Sequence, residues 1–375
     1  MSKLNIGNDL YLKGRIGWQG LSKNEYLEAG EYKIINATAL MDGYVDWNNC
    51  GYITKQRYEE AKEIQLKEGD ILISKDGTLG KIGYVKNLTI PCSVSSGIFV
   101  LRNTKPEVVD FDYLYHIMKS NIFKDFINRN KSLGSTIMHL YQRDFEQFEI
   151  ELPCIDEQRK IAKILNDFDN QINQNNEMVQ KLQVLSHNIF QFYYSKNDKK
   201  KIKLKDIATM YQPETITGNN FVSNGKYYVY GSGGIIGKYN KYNHKDSELM
   251  ISCRGKCGNI ALSLPFSWII GNQMIVKPHQ IQLKYYLYNY FKIINLYKIE
   301  TGSVQKQITR SSLEKLEIQL LNENILLNLA NKLQPIYKQI IEITINNEKL
   351  NEIKEKLLPL LINQQLIWTK VLSKT

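Results

Sequence analysis

Arg15 and Trp18 stand beside Gly14 and Gly17, Lys75 closes one apolar run, and Arg254 and Lys256 follow a second. Gln142 with Arg143, and Lys306 with Gln307, form two further polar pairs, each just downstream of a Gly-Ser step at Gly134-Ser135 or Gly302-Ser303. The chemistry these side chains share is recognition. A guanidinium forks onto guanine or phosphate, an ammonium meets phosphate, a carboxamide both donates and accepts at a base edge, and an indole stacks. A net charge of +11 over 375 residues suits a polyanionic partner, because each neutralised phosphate releases counterion. The plainer roles are core packing for Trp18 and ordinary surface for the lysines.

Turnover chemistry is missing from the sequence. A DNA methyltransferase needs a glycine-rich cofactor loop after a strand and an Asn/Asp-Pro-Pro-aromatic run, and neither is present. Gly231-Ser-Gly-Gly-Ile-Ile-Gly237 is glycine-rich but lacks the strand-to-helix setting of a phosphate loop, so it is expected to be a flexible turn. Acid pairs such as Glu59 and Glu60 sit in charged runs and read as solvated faces, and the five histidines form no constellation. Cysteines at 50, 92, 154, 253 and 257 are odd in number and scattered, which points to a reducing cytoplasm and away from a disulfide framework. Cys253 and Cys257 are a close pair without a second pair at zinc-ligand spacing, so no metal site is expected. No run is apolar enough to span a bilayer, and the opening residues do not resemble a secretory signal.

The candidate residues lie in a repeat. Gly134 to Leu152 aligns with Gly302 to Leu320 at a constant offset of 168, with apolar residues coinciding at 145/313, 148/316, 150/318 and 152/320. Asp70-Ile-Leu-Ile-Ser-Lys-Asp-Gly77 matches Glu248-Leu-Met-Ile-Ser-Cys-Arg-Gly255 at an offset of 178, and Gly30-Glu-Tyr-Lys-Ile-Ile resembles Gly225-Lys-Tyr-Tyr-Val-Tyr. The chain is two copies of one module. Each copy opens with short alternating segments that predict strands, at 70–74, 81–85 and 97–102 in the first and at 249–253 and 268–276 in the second. A helix is predicted over 113–128 and over 283–297. Each copy then ends in one long helix.

The first long helix is predicted from Asp156, as its capping residue, to about Tyr194. Ile161, Leu165, Phe168, Ile172, Asn175, Val179 and Leu182 fall at alternating steps of four and three, which is coiled-coil spacing with one polar intruder. Leu329, Leu333, Ile336, Ile340, Ile343, Asn347 and Leu350 repeat the stripe in the second helix, again with one asparagine. Two copies of a module associate with approximate two-fold symmetry, which makes the paired helices antiparallel. Setting Asn175 against Asn347 then puts Val179 opposite Ile343, Leu182 opposite Ile340 and Leu165 opposite Leu357. Helices of about 35–40 residues run roughly 50–60 Å, enough to space two globular heads. The expected class is α+β, divided as a recognition domain over 1–155, a spacer helix over 156–195, a second recognition domain over 196–321 and a second spacer helix over 322–365.

With these motifs in place, the chain resembles the specificity subunits of type I restriction-modification systems. Leu12-Lys-Gly-Arg-Ile-Gly-Trp-Gln-Gly-Leu21 with Glu25-Tyr26 looks like one opening of their target-recognition domains. Gly69-Asp-Ile-Leu-Ile-Ser-Lys-Asp-Gly-Thr78 is similar to the family's central strand and turn. Gly134-Ser-Thr136, His139-Leu-Tyr-Gln142, Ile150-Glu-Leu-Pro153 and Glu157-Gln-Arg-Lys-Ile-Ala162 look like its junction into the conserved helix. The resemblance implies a non-catalytic subunit that reads a split, asymmetric site in double-stranded DNA, one half per domain. It further implies that the helices set the gap and dock methyltransferase subunits, that a nuclease/translocase subunit can join, and that S-adenosylmethionine and ATP with magnesium serve those partners and not this chain. The second copy departs from the pattern at Ile318-Gln-Leu-Leu-Asn-Glu-Asn-Ile325, where Asn322 replaces the proline-bounded helix entry. That leaves open whether both copies grip a methyltransferase alike. Two other readings stand beside this one: the recognition subunit of a fused restriction-and-methylation enzyme, and a coiled-coil scaffold that does not bind DNA.

Overall fold

The computed structural model describes residues 2–15, 21–41, 43–131, 138–222, 225–255, 257–302 and 306–362. Two compact units emerge, one from residues 1–171 with 350–375 and the other from residues 172–349. Their borders cut both long helices in the middle, so each unit is a head plus half of each helix.

In the first unit, β1 (Ser2–Asn5) leads through the short α1 (Ile6–Asp9) to β2 (Tyr11–Gly14). Then come β3 (Tyr32–Ile35), β4 (Gly43–Tyr44), β5 (Gly51–Ile53) and α2 (Lys55–Glu59). The fully buried β6 (Ile71–Ser74) precedes β7 (Ile82–Tyr84), β8 (Cys92–Val94) and β9 (Ile98–Arg102). These make one sheet ordered β2-β9-β6-β7-β4 and another ordered β5-β3-β8, in which β3 and β8 run parallel. The predicted helix over 113–128 is two helices, α3 (Phe111–Lys119) and α4 (Asn121–Asn130), broken at Ser120, whose backbone is extended. The short α5 (Gln142–Phe145) and β10 (Glu149–Leu152) follow, and β10 returns to pair antiparallel with β1.

The second unit repeats this plan. After β11 (Lys199–Lys203) and β12 (Ala208–Tyr211), β13 (Tyr227–Gly231) and β14 (Gly234–Tyr239) form a hairpin. The Gly231–Gly237 stretch expected as a flexible turn is therefore mostly paired strand. Only Ser232 and Gly233 make the bend, and Gly234 just after it holds a left-handed backbone at φ +108° that glycine adopts cheaply. β15 (Leu249–Ser252), β16 (Ile260–Leu262), β17 (Trp268–Ile269) and β18 (Gln273–Pro278) complete sheets ordered β12-β18-β15-β16 and β14-β13-β17. The single strand expected over 268–276 is thus two, interrupted where Thr215 accepts a hydrogen bond from the Gly271 amide at 3.0 Å. α7 (Leu283–Ile293), a 3₁₀ turn (Leu296–Ile299), α8 (Arg310–Glu314) and β19 (Glu317–Leu321) follow, and β19 pairs antiparallel with β11. The parallel pair β13-β17 matches β3-β8. The repeat is one of topology as well as of residues.

The long helices are α6 (Ile155–Lys196) and α9 (Glu323–Ile362). α6 starts one residue before Asp156, so that carboxylate sits in the first turn, where it favours the dipole, and not at the cap. Asn322 caps α9, its side chain accepting from the Ile325 amide at 3.0 Å. Along α6, only Ile172, Asn175 and Val179 escape full exposure between residues 170 and 181, which is the predicted stripe. The helices run antiparallel. Within the second unit, Asn175 Nδ2 donates to Asn347 Oδ1 at 2.6 Å, Asn347 Nδ2 donates to Asn176 Oδ1 at 2.9 Å, and Ser186 meets Tyr337 at 3.0 Å.

Each head is joined to both helices by a polar triad, and the two triads occupy equivalent positions. In the second unit, Asn289 of α7 donates to the Tyr337 hydroxyl at 2.9 Å, and Tyr337 meets Ser186 of α6. In the first unit the corresponding residues are His116 of α3, Asp169 of α6 and Lys354 of α9. Lys354 hydrogen-bonds Asp169, the His116 Nδ1 lies 3.9 Å from Asp169, and His116 Nε2 meets Asn166 at 2.9 Å. One triad is neutral and the other ionisable.

Burial pushes the His116 imidazole down to about 4, against the weaker upward pull of Asn166 and Asp169 and with Lys354 and Lys119 adding to the fall. Below the ordinary value near 6.5 the unfolded chain takes up a proton that the folded one refuses. Stability is therefore fully present above about 6.5 and is lost as pH falls toward 4. The loss attributable to this group is on the order of 3 kcal/mol. Urea midpoints taken from pH 7 to pH 4 should fall more steeply for the wild-type chain than for His116→Asn, which copies the other unit; parallel slopes would contradict this. For the asparagine pair, Asn347→Leu should cost about 1–3 kcal/mol by removing its hydrogen bonds to Asn175 and Asn176, and Asn175→Leu with Asn347→Leu should recover most of it, as read from urea midpoints.

Candidate nucleic-acid interface

The central buried strand of each head ends in the same turn. β6 is followed by Lys75-Asp76-Gly77-Thr78-Leu79-Gly80, and β15 by Cys253-Arg254-Gly255-Lys256-Cys257-Gly258. In the first, the Gly80 amide donates to the Ser74 carbonyl at 2.9 Å and the Ser74 amide to Lys81 at 3.0 Å. In the second, Gly258 donates to Ser252 at 2.8 Å and Ser252 to Asn259 at 2.8 Å. Both glycines of each turn are left-handed, at φ +68° and +73° in the first and +76° and +76° in the second. Only glycine holds that backbone cheaply, which explains the shared Gly-x-x-Gly spacing.

Each turn is stitched to the segment that leads into β10 or β19. The Leu140 amide donates to the Lys75 carbonyl at 2.9 Å, and the Ile308 amide to the Cys253 carbonyl at 3.1 Å. Residues far apart in sequence thus gather at one place on each head: 75 with 139–143, and 254 with 306–307. What holds the side chains differs. In the first head Asp76 hydrogen-bonds His139, whose ring meets Tyr141 edge-on at 4.5 Å, and the Arg143 guanidinium lies 5.2 Å over Tyr141. In the second head the equivalent positions carry Arg254 and Gln307. The backbone of Gln307 pairs with Thr301 at 2.8 and 2.9 Å.

The nine candidate residues separate into groups. Arg143, Arg254 and Lys306 are exposed cations at these turns. Gln307 is half-buried beside them. Lys75 is half-buried, its ammonium 4.8 Å over the Phe99 ring, and burial lowers its pKa. Gln142 is spent on the fold, donating to Leu12 at 3.2 Å and Glu146 at 2.8 Å. The exposed-loop expectation for Arg15 is corrected: it is 2% exposed and donates to the Val94 carbonyl at 3.1 Å and Ser93 at 3.4 Å. It pins the end of β2 to β8, as Gln212 does after β12 by donating to the Gly271 carbonyl at 2.7 Å. Trp18, Lys256 and the Ser135-Thr136 step lie outside the described residues.

Some residues of this surface carry no sequence signal. Tyr297 is 66% exposed, and the Glu300 carboxylate approaches Lys306 at 3.6 Å. They flank an open groove of about 800 Å³ in the second head, along with the hairpin bend and the Gly255–Gly258 turn. Neither belongs to a motif, and only the fold brings them beside Arg254.

The profile of a family described as type I restriction modification DNA specificity domain matches residues 19–184 and again 196–355, one match per copy. The MjaX specificity subunit of Methanocaldococcus jannaschii, so named, is 24% identical over 92% of this chain and 89% of its own length. The MjaVIII specificity subunit of the same organism is 28% identical over 59% of this chain and 49% of its own length. The crystal structure of a type I restriction-modification S subunit from M. genitalium superposes with a TM-score of 0.57 at 17% identity, over 96% of this chain and 95% of that one, a likeness of fold.

The paired turns can be tested directly. Gly77→Ala, with open space around its new methyl group, should cost about 1–2 kcal/mol for the left-handed backbone alone. Gly255→Ala should cost at least as much, because its methyl would stand 3.0 Å from the Ser232 hydroxyl. Urea denaturation showing no loss in either variant would contradict the shared role of these glycines.

Proposed function

The chain belongs to the family of type I restriction-modification specificity subunits, and from that premise we propose that it reads a bipartite, asymmetric site in double-stranded DNA, one half-site per head, and brings methyltransferase subunits to it. The observation that supports this reading best is the pair of turns that share their glycines and hydrogen bonds but carry unlike side chains. One backbone plan carries Asp76 and His139 in the first head where it carries Arg254 and Gln307 in the second, with the exposed cations Arg143 and Lys306 at non-equivalent positions nearby. Two surfaces of common geometry and different donor and acceptor patterns suit two different DNA words. The net charge of +11 supplies the affinity that is independent of sequence, and the turns supply discrimination.

In this proposal the chain performs no bond-making step. S-adenosylmethionine is used by the methyltransferase subunits, ATP and magnesium by a nuclease/translocase subunit where one joins, and the assembly works in the cytoplasm. Among the described residues no helix is long and apolar enough to cross a membrane.

The test is methylation mapping in cells that carry this chain and its methyltransferase. Exchanging residues 1–155 or 196–321 for the corresponding segment of another specificity subunit should change one half of the methylated motif and leave the other half intact. In vitro, raising salt from 50 to 200 mM should weaken binding by about 10³–10⁵-fold if six to ten phosphates are contacted. A motif that changes in both halves on either exchange, or binding indifferent to salt, would defeat the proposal.

A further inference from the structure

Glu300 sits oddly on a surface meant for a polyanion. Its side chain is only 7% exposed, yet it lines the groove of the second head, and among the described residues it makes an ionic contact with Lys306 at 3.6 Å, a side chain that is itself 75% exposed. The backbone pair between Thr301, next to Glu300, and Gln307, next to Lys306, brings the two residues side by side. Gly233, Gly255 and Gly258 border the same groove, so backbone can approach a ligand there with few side chains between. Exposed Tyr297 forms a further part of its border.

A carboxylate so placed repels phosphate. The part of DNA it can accept must be a hydrogen-bond donor, and the donors on base edges are exocyclic amino groups. In the major groove both adenine N6–H₂ and cytosine N4–H₂ are donors. Adenine's sits beside its own N7 acceptor and suits a carboxamide, whereas cytosine's is the sole hydrogen-bonding group on its base edge and suits a carboxylate, with the O6 and N7 acceptors on its paired guanine. An acidic acceptor next to a flexible ammonium is the complement of that pattern: Glu300 accepts from cytosine N4 while Lys306 donates to guanine N7. The loose ion pair of the free protein keeps both groups near one another and gives way without a large penalty, since one partner is already solvated.

We propose that Glu300 and Lys306 together read one C·G base pair of the half-site recognised by the second head. This rests on the DNA-reading function proposed above, and it assigns a position and a base to two named side chains.

The experiment uses the full chain with its methyltransferase and synthetic duplexes carrying the mapped motif. Each cytosine of the half-site that follows residues 196–321 is replaced in turn by a pyrimidinone lacking the N4 amino group, and each guanine by 7-deazaguanine. For the wild-type chain, one amino deletion should weaken binding about ten- to a hundredfold. Glu300→Ala should be indifferent to that same deletion, and Glu300→Gln, which keeps an acceptor oxygen, should regain part of the dependence. Lys306→Ala should lose sensitivity to 7-deazaguanine in the same base pair. A wild-type chain indifferent to every cytosine amino group of that half-site overturns the proposal, whatever the folding of the variants. So does a folded Glu300→Ala that responds to each deletion as the wild type does. If the wild-type complex fails to prefer the motif over a scrambled duplex, it is the DNA-reading function that falls.

Discussion

Each head depends on a helix that does not grow out of it. In the first unit, Ile161, Ala162 and Leu165 of α6 share one core with Leu358 and Leu361 of α9 and with the strands and α3–α4 helices of the head. In the second, Leu326, Leu329, Leu333 and Tyr337 of α9 are joined by Phe190 of α6. α6 leaves the first head and α9 leaves the second, yet each completes the other unit's core as well. Burying a single leucine contributes about 1.5–3 kcal/mol, so neither core is complete without the borrowed turns. The antiparallel direction follows from this exchange. A helix that begins on one module and ends on its copy must meet a partner doing the reverse.

The strand pairs β1-β10 and β11-β19 apply the same logic locally. The first strand of each head closes against the strand just before its outgoing helix, which ties the entry of the module to its exit. With both ends tied, the region between is free to vary, and the two copies do vary there. The joints to the long helices differ too, His116-Asp169-Lys354 in one unit and Asn289-Tyr337-Ser186 in the other, each at the same place. The turns after β6 and β15 kept their glycines and their hydrogen bonds and exchanged their side chains. The backbone plan is common to both heads, and the residues mounted on it differ.

Several features were legible from residues alone, because they rest on short-range periodicity. The alternation of three and four steps exposed the seam of α6 and α9. The duplicated Gly-Ser and Ile-Ser-x-x-Gly segments exposed the two modules, since repetition is independent of how the chain folds. Other features were not legible. The predicted helix over 113–128 is split at Ser120 because the chain turns to cover the Phe123, Phe145 and Phe148 cluster, a demand set by residues more than twenty positions away. Arg15 has the composition of a loop reader and is instead drawn inward by the Val94 carbonyl, an acceptor 79 residues on. Glu300 belongs to no motif, and it comes beside Lys306 and the Gly255 turn only when the chain folds.

By itself the amino-acid sequence determined that this protein is a duplicated α+β module with two long helices, that an asparagine in each helix meets the other's, and that the chain carries a net charge of +11. Those properties are carried by spacing and charge, which the chain holds before it folds. Only the tertiary structure decided which polar residues face outward and which are consumed as braces, and which unlike side chains share a turn. Burial and hydrogen-bond partnership are relations between distant segments, and they come into being when the sheets close.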